Sequence, residues 1–274
     1  MESTALTVVT GFDAVARADV FDSLAAALAD RSTERSHAGG RDLSVHLGST
    51  RSRRAVVEAS DALSVVDQVL RGASANTRLH GIVTVVDACA AAARLAVGNG
   101  LAPTARAAAQ LMVADGIALT GLDRVTPSAR LDIDRAIQEV NTRAIARDVA
   151  CPRWLDLVSL DASCAAAIAR RSSPRTGIRN LHGVESVTQE VRALIQPVRV
   201  YSWLAALVSG VFGIVLRFEA VLPIGDDVAL VAFGLPPALC YETVPFDTTR
   251  TNGRVWVVGA AIDPAGLIAR LAEQ

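Results

Sequence analysis

The chain contains no lysine; all 27 of its basic residues are arginine. Chemistry that needs a side-chain amine is thereby excluded: Schiff-base catalysis, pyridoxal phosphate anchoring and a lysine that bridges terminal phosphates. Drift toward arginine and alanine explains the bias without selection, and the exclusions hold either way. Cysteine is sparse, and Cys89, Cys151, Cys164 and Cys240 form no CxxC pair or close Cys/His cluster. This pattern argues for reduced, buried thiols in a cytoplasmic protein. Aromatic residues make up 4%, and the spacing of Trp154, Trp203 and Trp256 suggests core positions, with no stacking platform. A net charge of -1 supplies no global attraction to nucleic acid or anionic membrane. The first residues lack a basic region followed by an apolar core, so no export signal is expected. The apolar run WLAALVSGVFGIVLRF from Trp203 contains Gly210 and Gly213 and is broken by Arg217, too early to span a bilayer.

What is present is a large supply of core: hydrophobic residues form 51% of 274, enough for two modest domains. Over the first two-thirds, short β-rich apolar runs alternate with longer Ala-rich ones, the pattern of βαβ units around a parallel sheet. Strands are expected at 5–11, 54–59, 81–88 and 116–121. Helices are expected near 15–30, 60–71, 88–97, 103–114 and 127–141, the last opened by Thr126 as N-cap and Pro127 at the first helical position. The polar, Gly/Ser-rich segment 31–53 reads as a loop. Arginine, serine and proline cluster at 170–180, which places a linker at 166–181 between domains 1–165 and 182–274. In the second domain VESVTQEV alternates, PVRVYSWLAALV reads as a helix, and IVLRFEAVL, VALVAFGL and RVWVVGA read as strands. A closing helix has Asp263 as N-cap and Pro264 at its first position. The fold class expected is α/β, a mostly parallel sheet flanked by helices, plus a smaller α+β domain of antiparallel sheet and helices.

These segments together resemble the CobW family of P-loop GTPases, relatives of the HypB and UreG metal-insertion proteins. TVVTGF at 7–12 resembles the first strand entering the phosphate loop, VVEAS at 56–60 a strand ending in glutamate, and HGIVTVVDA at 80–88 the most characteristic family strand. ADGIALTGLD at 114–123 and EVNTRAIAR at 139–147 follow the guanine-recognition strand and the segment after it. HGVES at 182–186, GIVLRFEAVL at 213–222 and RVWVVGAAIDPAGLIARL at 254–271 resemble the opening, middle and close of the family's C-terminal domain. The resemblance implies a P-loop NTPase-like domain followed by that C-terminal domain.

The family's chemistry is missing at the matching positions. A phosphate loop GxxxxGK[ST] uses glycines to turn amides toward phosphate, lysine for the terminal phosphates and a hydroxyl for magnesium. Here the frame is Gly11-Phe12-Asp13-Ala14-Val15-Ala16-Arg17-Ala18. Losing one charge-assisted bond costs about 1.5–3 kcal/mol; together with the lost metal ligand, micromolar nucleotide affinity should fall to roughly millimolar or weaker. The base-recognition motif NKxD becomes Thr120-Gly121-Leu122-Asp123, in which only Asp123 could meet guanine, or simply close a turn. The degenerate nucleotide site thus comprises Gly11, Asp13, Arg17 and Asp123. The CxCC metal motif should fall between the first helix and VVEAS, where no cysteine occurs; His37 and His46 there read as solvated loop residues. No cofactor and no resident metal are expected.

Strand ends at Gly11, Glu58, Asp87 and Asp123, with Asp13 and Asp19 close by, would line the crevice where open parallel sheets bind ligands. Carboxylates there favour a cation, an amine or a basic side chain over a nucleotide; alternatively, they are inherited caps. Arg51, Arg53 and Arg54 could grip an acidic partner or be solvated, and His182 reads as structural. No GxSxG signature supports a hydrolase. The leading reading is a pseudo-GTPase that serves as a non-enzymatic accessory factor binding a protein partner, with a small-molecule ligand in the crevice left open. The resemblance extends to proteins of zinc-starvation physiology, including recruitment of a ribosome hibernation factor. The alternatives are a biosynthetic enzyme using Asp19, Glu58 or Asp87 as acid/base groups, and a residual GTP-binding metallochaperone.

Overall fold

The computed structural model describes residues 4–27, 33–37, 54–59, 77–102, 104–155, 157, 168–169, 177–236, 238–247 and 251–272. The expected helix at 60–71, the arginines at 51 and 53, and His46 lie outside them. The chain divides into two compact units, Met1–Ala162 and Ser163–Gln274.

The first unit is built on six strands, β1 (Thr4–Gly11), β2 (Thr33–His37), β3 (Arg54–Glu58), β4 (Thr77–Asp87), β5 (Gly116–Thr120) and β6 (Ile145–Asp148). They lie in the order β2-β3-β1-β4-β5-β6, and every neighbouring pair is parallel. The interior strands are apolar at consecutive positions because both faces are covered: Val8, Val9, Val56, Val57, Ile82 and Val83 are all buried. Among the described residues, helix α1 (Ala14–Ala27) follows β1, α2 (Ala88–Ala96) and α3 (Ala105–Val113) lie between β4 and β5, and α4 (Pro127–Val140) lies between β5 and β6. Val20, Phe21 and Leu24 of α1 pack with Val9, Val56 and Val83 of the sheet, and each such side chain contributes about 1.5–3 kcal/mol on burial. The expected N-cap Thr126 accepts from the Ala129 amide, and Asp87 and Thr104 likewise accept from the Ala90 and Ala107 amides.

Two elements of this unit differ from expectation. Residues 33–37, inside the expected loop, form a strand that pairs with β3 from Thr33 opposite Arg54 to His37 opposite Glu58. TERSH carries no apolar alternation; as an edge strand it is held by backbone hydrogen bonds on one side. The short IARD strand β6 was likewise not expected. Its entry is fixed by Asn141, a buried residue whose Nδ2 donates to the carbonyls of Leu111, Met112 and Ala114 at 2.8, 3.1 and 2.9 Å. Its Oδ1 accepts from the amides of Arg143 and Ala144.

The second unit is an antiparallel sheet of β7 (Gly177–Leu181), β8 (Val184–Val191), β9 (Ile214–Pro223), β10 (Val228–Leu235), β11 (Ala238–Pro245) and β12 (Gly253–Ala260), in the order β11-β10-β9-β12-β8-β7. Helices α5 (Pro197–Val208) and α6 (Pro264–Ala272) share a core with one face of it, where Trp203, Leu204 and Leu207 meet Phe218, Ala220, Leu222, Val255 and Val257. The Trp203 indole donates to the Leu267 carbonyl at 2.9 Å, which ties α5 to α6. On the opposite face Trp256 donates to Ser186 Oγ at 3.0 Å, and the buried Arg217 guanidinium lies 6.0 Å from the Trp256 ring. Strand β7 occupies part of the expected linker, and β11 was not expected. The β7–β8 hairpin turns on His182 and Gly183, with φ of 52° and 81°; Asn180 Oδ1 accepts from the Gly183 amide. His182 is therefore a turn residue. Among the described residues no helix is long and apolar enough to cross a membrane.

Candidate functional site at the strand ends

The chain leaves β1 toward β2 on one side of the sheet and leaves β4 toward β5 on the other. Adjacent strands whose outgoing connections diverge open a crevice at their carboxyl ends. Gly11 closes β1 there, and a Cβ on it would lie 2.7 Å from the Val85 carbonyl oxygen of β4.

Only Phe12 and Asp13 connect Gly11 to α1. Five of the eight residues in the phosphate-loop frame, Ala14 to Ala18, are thus helical, where a phosphate-binding loop would need irregular backbone to turn its amides inward. Asp13 Oδ1 accepts from the Ala16 amide at 2.8 Å, and the Asp13 carbonyl accepts from the Arg17 amide at 3.0 Å. The carboxylate therefore takes the position at the helix N-terminus that an anion would otherwise use. Arg17 Nε donates to Glu58 Oε1 at 2.8 Å, and its Nη1 donates to the Gly11 carbonyl at 3.0 Å. Both side chains of this pair are only 13% exposed. The arginine at the lysine position is held by the protein's own groups.

Asp87 ends β4 and caps α2, its Oδ1 accepting from the Ala90 amide at 2.8 Å. Its Oδ2 accepts from Arg124 Nη2 at 3.0 Å, an exposed arginine in the turn after β5. That turn starts at Gly121, with φ of 67°, and continues through a 3-10 segment, Leu122–Arg124. Asp123 lies exposed within it. Asp19 is exposed on α1; two residues beyond Arg17, it faces away from Glu58.

The structure thus brings Asp13 and Asp87 to one cleft of about 160 Å³, with Phe12, Val86, Ala90, Ala91, Arg94 and Leu101. It pairs Glu58 with Arg17 and leaves Asp19 and Asp123 apart. Arg94 escaped the sequence reading. Its spacing of seven from Asp87 along an Ala-rich helix was the available signal, since two turns return a side chain to the same face. Among the described residues no group of three or more His, Cys, Asp or Glu side chains could hold a metal ion.

No family model matches the chain, and no curated protein matches it. Solved structures do. The Zn(II)-bound YjiA GTPase from E. coli is similar with a TM-score of 0.67 and 16% identity over 99% of each chain. A Zn(II)-bound triple mutant of YjiA GTPase is similar with a TM-score of 0.67 and 17% identity, again over 99% of each chain. At such identity the likeness establishes the fold, which is the CobW-type GTPase fold across both units.

Proposed function

Proceeding from that fold, we propose that the chain is a CobW-like pseudo-GTPase, an accessory factor that uses the scaffold to bind a protein partner without a nucleotide cycle. The observation that carries this reading is the occupied phosphate site: Asp13 caps α1, and Arg17 is bound to Glu58 and the Gly11 carbonyl. A nucleotide would have to displace a partly buried ion pair and uncap a helix, and would gain neither lysine nor a hydroxyl for magnesium. Glu58 and Asp87 serve as ion-pair and cap partners, which favours the platform over an acid/base enzyme. Phe12 and Val15, 39% and 71% exposed beside the same edge, supply apolar contact area for a partner. The zinc in the solved neighbours and the sequence resemblance direct the role toward zinc homeostasis or a ribosome-associated stress response.

Titration calorimetry with GTP and magnesium tests the nucleotide half. The expected dissociation constant is about a millimolar or weaker, and a low-micromolar value would overturn the proposal. The partner half is tested with double substitution of Phe12 and Val15 to glutamate, which should abolish complexes recovered by crosslinking while leaving the melting temperature within a few degrees.

A further inference from the structure

We propose that the cleft between the ends of β1 and β4 binds a small zwitterion of the apolar α-amino acid class, a function beyond the platform reading and independent of it. The first observation is a cation with nothing to hold. Arg94 lines the cleft, and its guanidinium makes no hydrogen bond among the described residues; its Nε is sealed from solvent, so the groups left for a ligand are the two Nη groups. A guanidinium can take a carboxylate through two parallel bonds from its Nη groups.

The second observation is the charge facing it. Asp13 and Asp87 line the same cleft. Each uses Oδ1 as a helix cap, and Asp87 Oδ2 is taken by Arg124. Asp13 Oδ2 has no partner among the described residues. Because helical side chains lean toward the N-terminus, Arg94 points back along α2 toward Asp87, yet makes no ion pair with either carboxylate. The cleft therefore presents a donor for an anion and an acceptor for a cation, held apart.

The wall between them is apolar, formed by Phe12, Val86, Ala90, Ala91 and Leu101. A carboxylate alone would face two acidic residues, and an amine alone would face Arg94. A molecule carrying both charges and an apolar body meets all three surfaces. The volume of about 160 Å³ sets the size: a cavity of about 150 Å³ holds benzene. A leucine or valine side chain fits that measure, whereas a nucleotide does not.

The test is calorimetric titration of the full chain with leucine, valine and phenylalanine, beside 4-methylpentanoate and 3-methylbutylamine, which each lack one charge of leucine. At least one amino acid should bind with a dissociation constant below about a millimolar, and the single-charge analogues at least about tenfold more weakly than leucine. Arg94→Gln should weaken amino-acid binding at least about tenfold. Asp13→Asn keeps a side-chain oxygen to cap α1, and should weaken leucine while leaving 4-methylpentanoate no weaker. No binding of any of the three amino acids at about 10 mM, a limit of only about 3 kcal/mol of binding, would overturn the inference. So would unchanged affinity in a folded Arg94→Gln chain, or equal binding of the single-charge analogues. Nucleotide titration is read separately: tight GTP binding would remove the pseudo-GTPase reading, whereas this inference stands or falls on the amino-acid titrations.

Discussion

A methyl group on Gly11 would lie 2.7 Å from the Val85 carbonyl oxygen and 3.0 Å from the Val85 Cβ. This glycine is needed for the close approach of β1 and β4 whether or not phosphate ever visits the site. Gly11→Ala should therefore lower stability by about 1–3 kcal/mol in urea denaturation, as overpacking against backbone does. Arg17→Ala removes an ion pair whose two side chains are 13% exposed and should cost about 1.5–3 kcal/mol by the same measurement. At the β7–β8 turn the strain runs the other way. His182 holds a φ of 52°, a conformation asparagine tolerates better, so His182→Asn should raise the urea midpoint. The absence of lysine, of a second glycine and of a hydroxyl from residues 11–18 was legible in the residues themselves. The occupancy of that frame by Asp13 and Glu58 was not, because it depends on where α1 begins and how β3 is registered against β1.

At the scale of elements, restoring the motif residues should not restore the motif. A chain carrying Ala16→Gly, Arg17→Lys and Ala18→Thr would still enter α1 two residues after Gly11. Its GTP dissociation constant in calorimetry should remain near a millimolar or above, about a thousandfold from a micromolar site. Asn141 is a second element-level hinge of stability. It satisfies three carbonyls at the C-terminal end of α3 and two amides before β6, so Asn141→Ala should cost at least about 3 kcal/mol, with faster amide exchange at β6. The strands that escaped the sequence reading, β2, β6, β7 and β11, occupy the four edges of the two sheets. Interior strands announce themselves with continuous apolar runs or strict alternation because both neighbours and both faces constrain them. An edge strand such as TERSH or GIRNL is defined largely by the backbone of its one neighbour, and leaves little pattern to read.

For the whole molecule, the reading of nucleotide independence can be checked through stability alone. A ligand at a thousand times its dissociation constant stabilises a protein by about 4 kcal/mol. With millimolar GTP and magnesium a working micromolar site would raise the melting temperature by several degrees, whereas this chain should shift by less than about a degree. The order of segments along the chain and the two-unit architecture were readable from distributed patterns. Similarity to YjiA GTPase extends over 99% of both chains at 16% identity, so the fold is shared although most residues differ. The three buried tryptophans give that architecture a built-in optical handle. Trp154 belongs to the first unit, Trp203 and Trp256 to the second. A Trp154→Phe chain would emit only from the second unit, and the paired loss of Trp203 and Trp256 only from the first. The unfolding of each unit can thus be timed by its own red shift in one untagged chain.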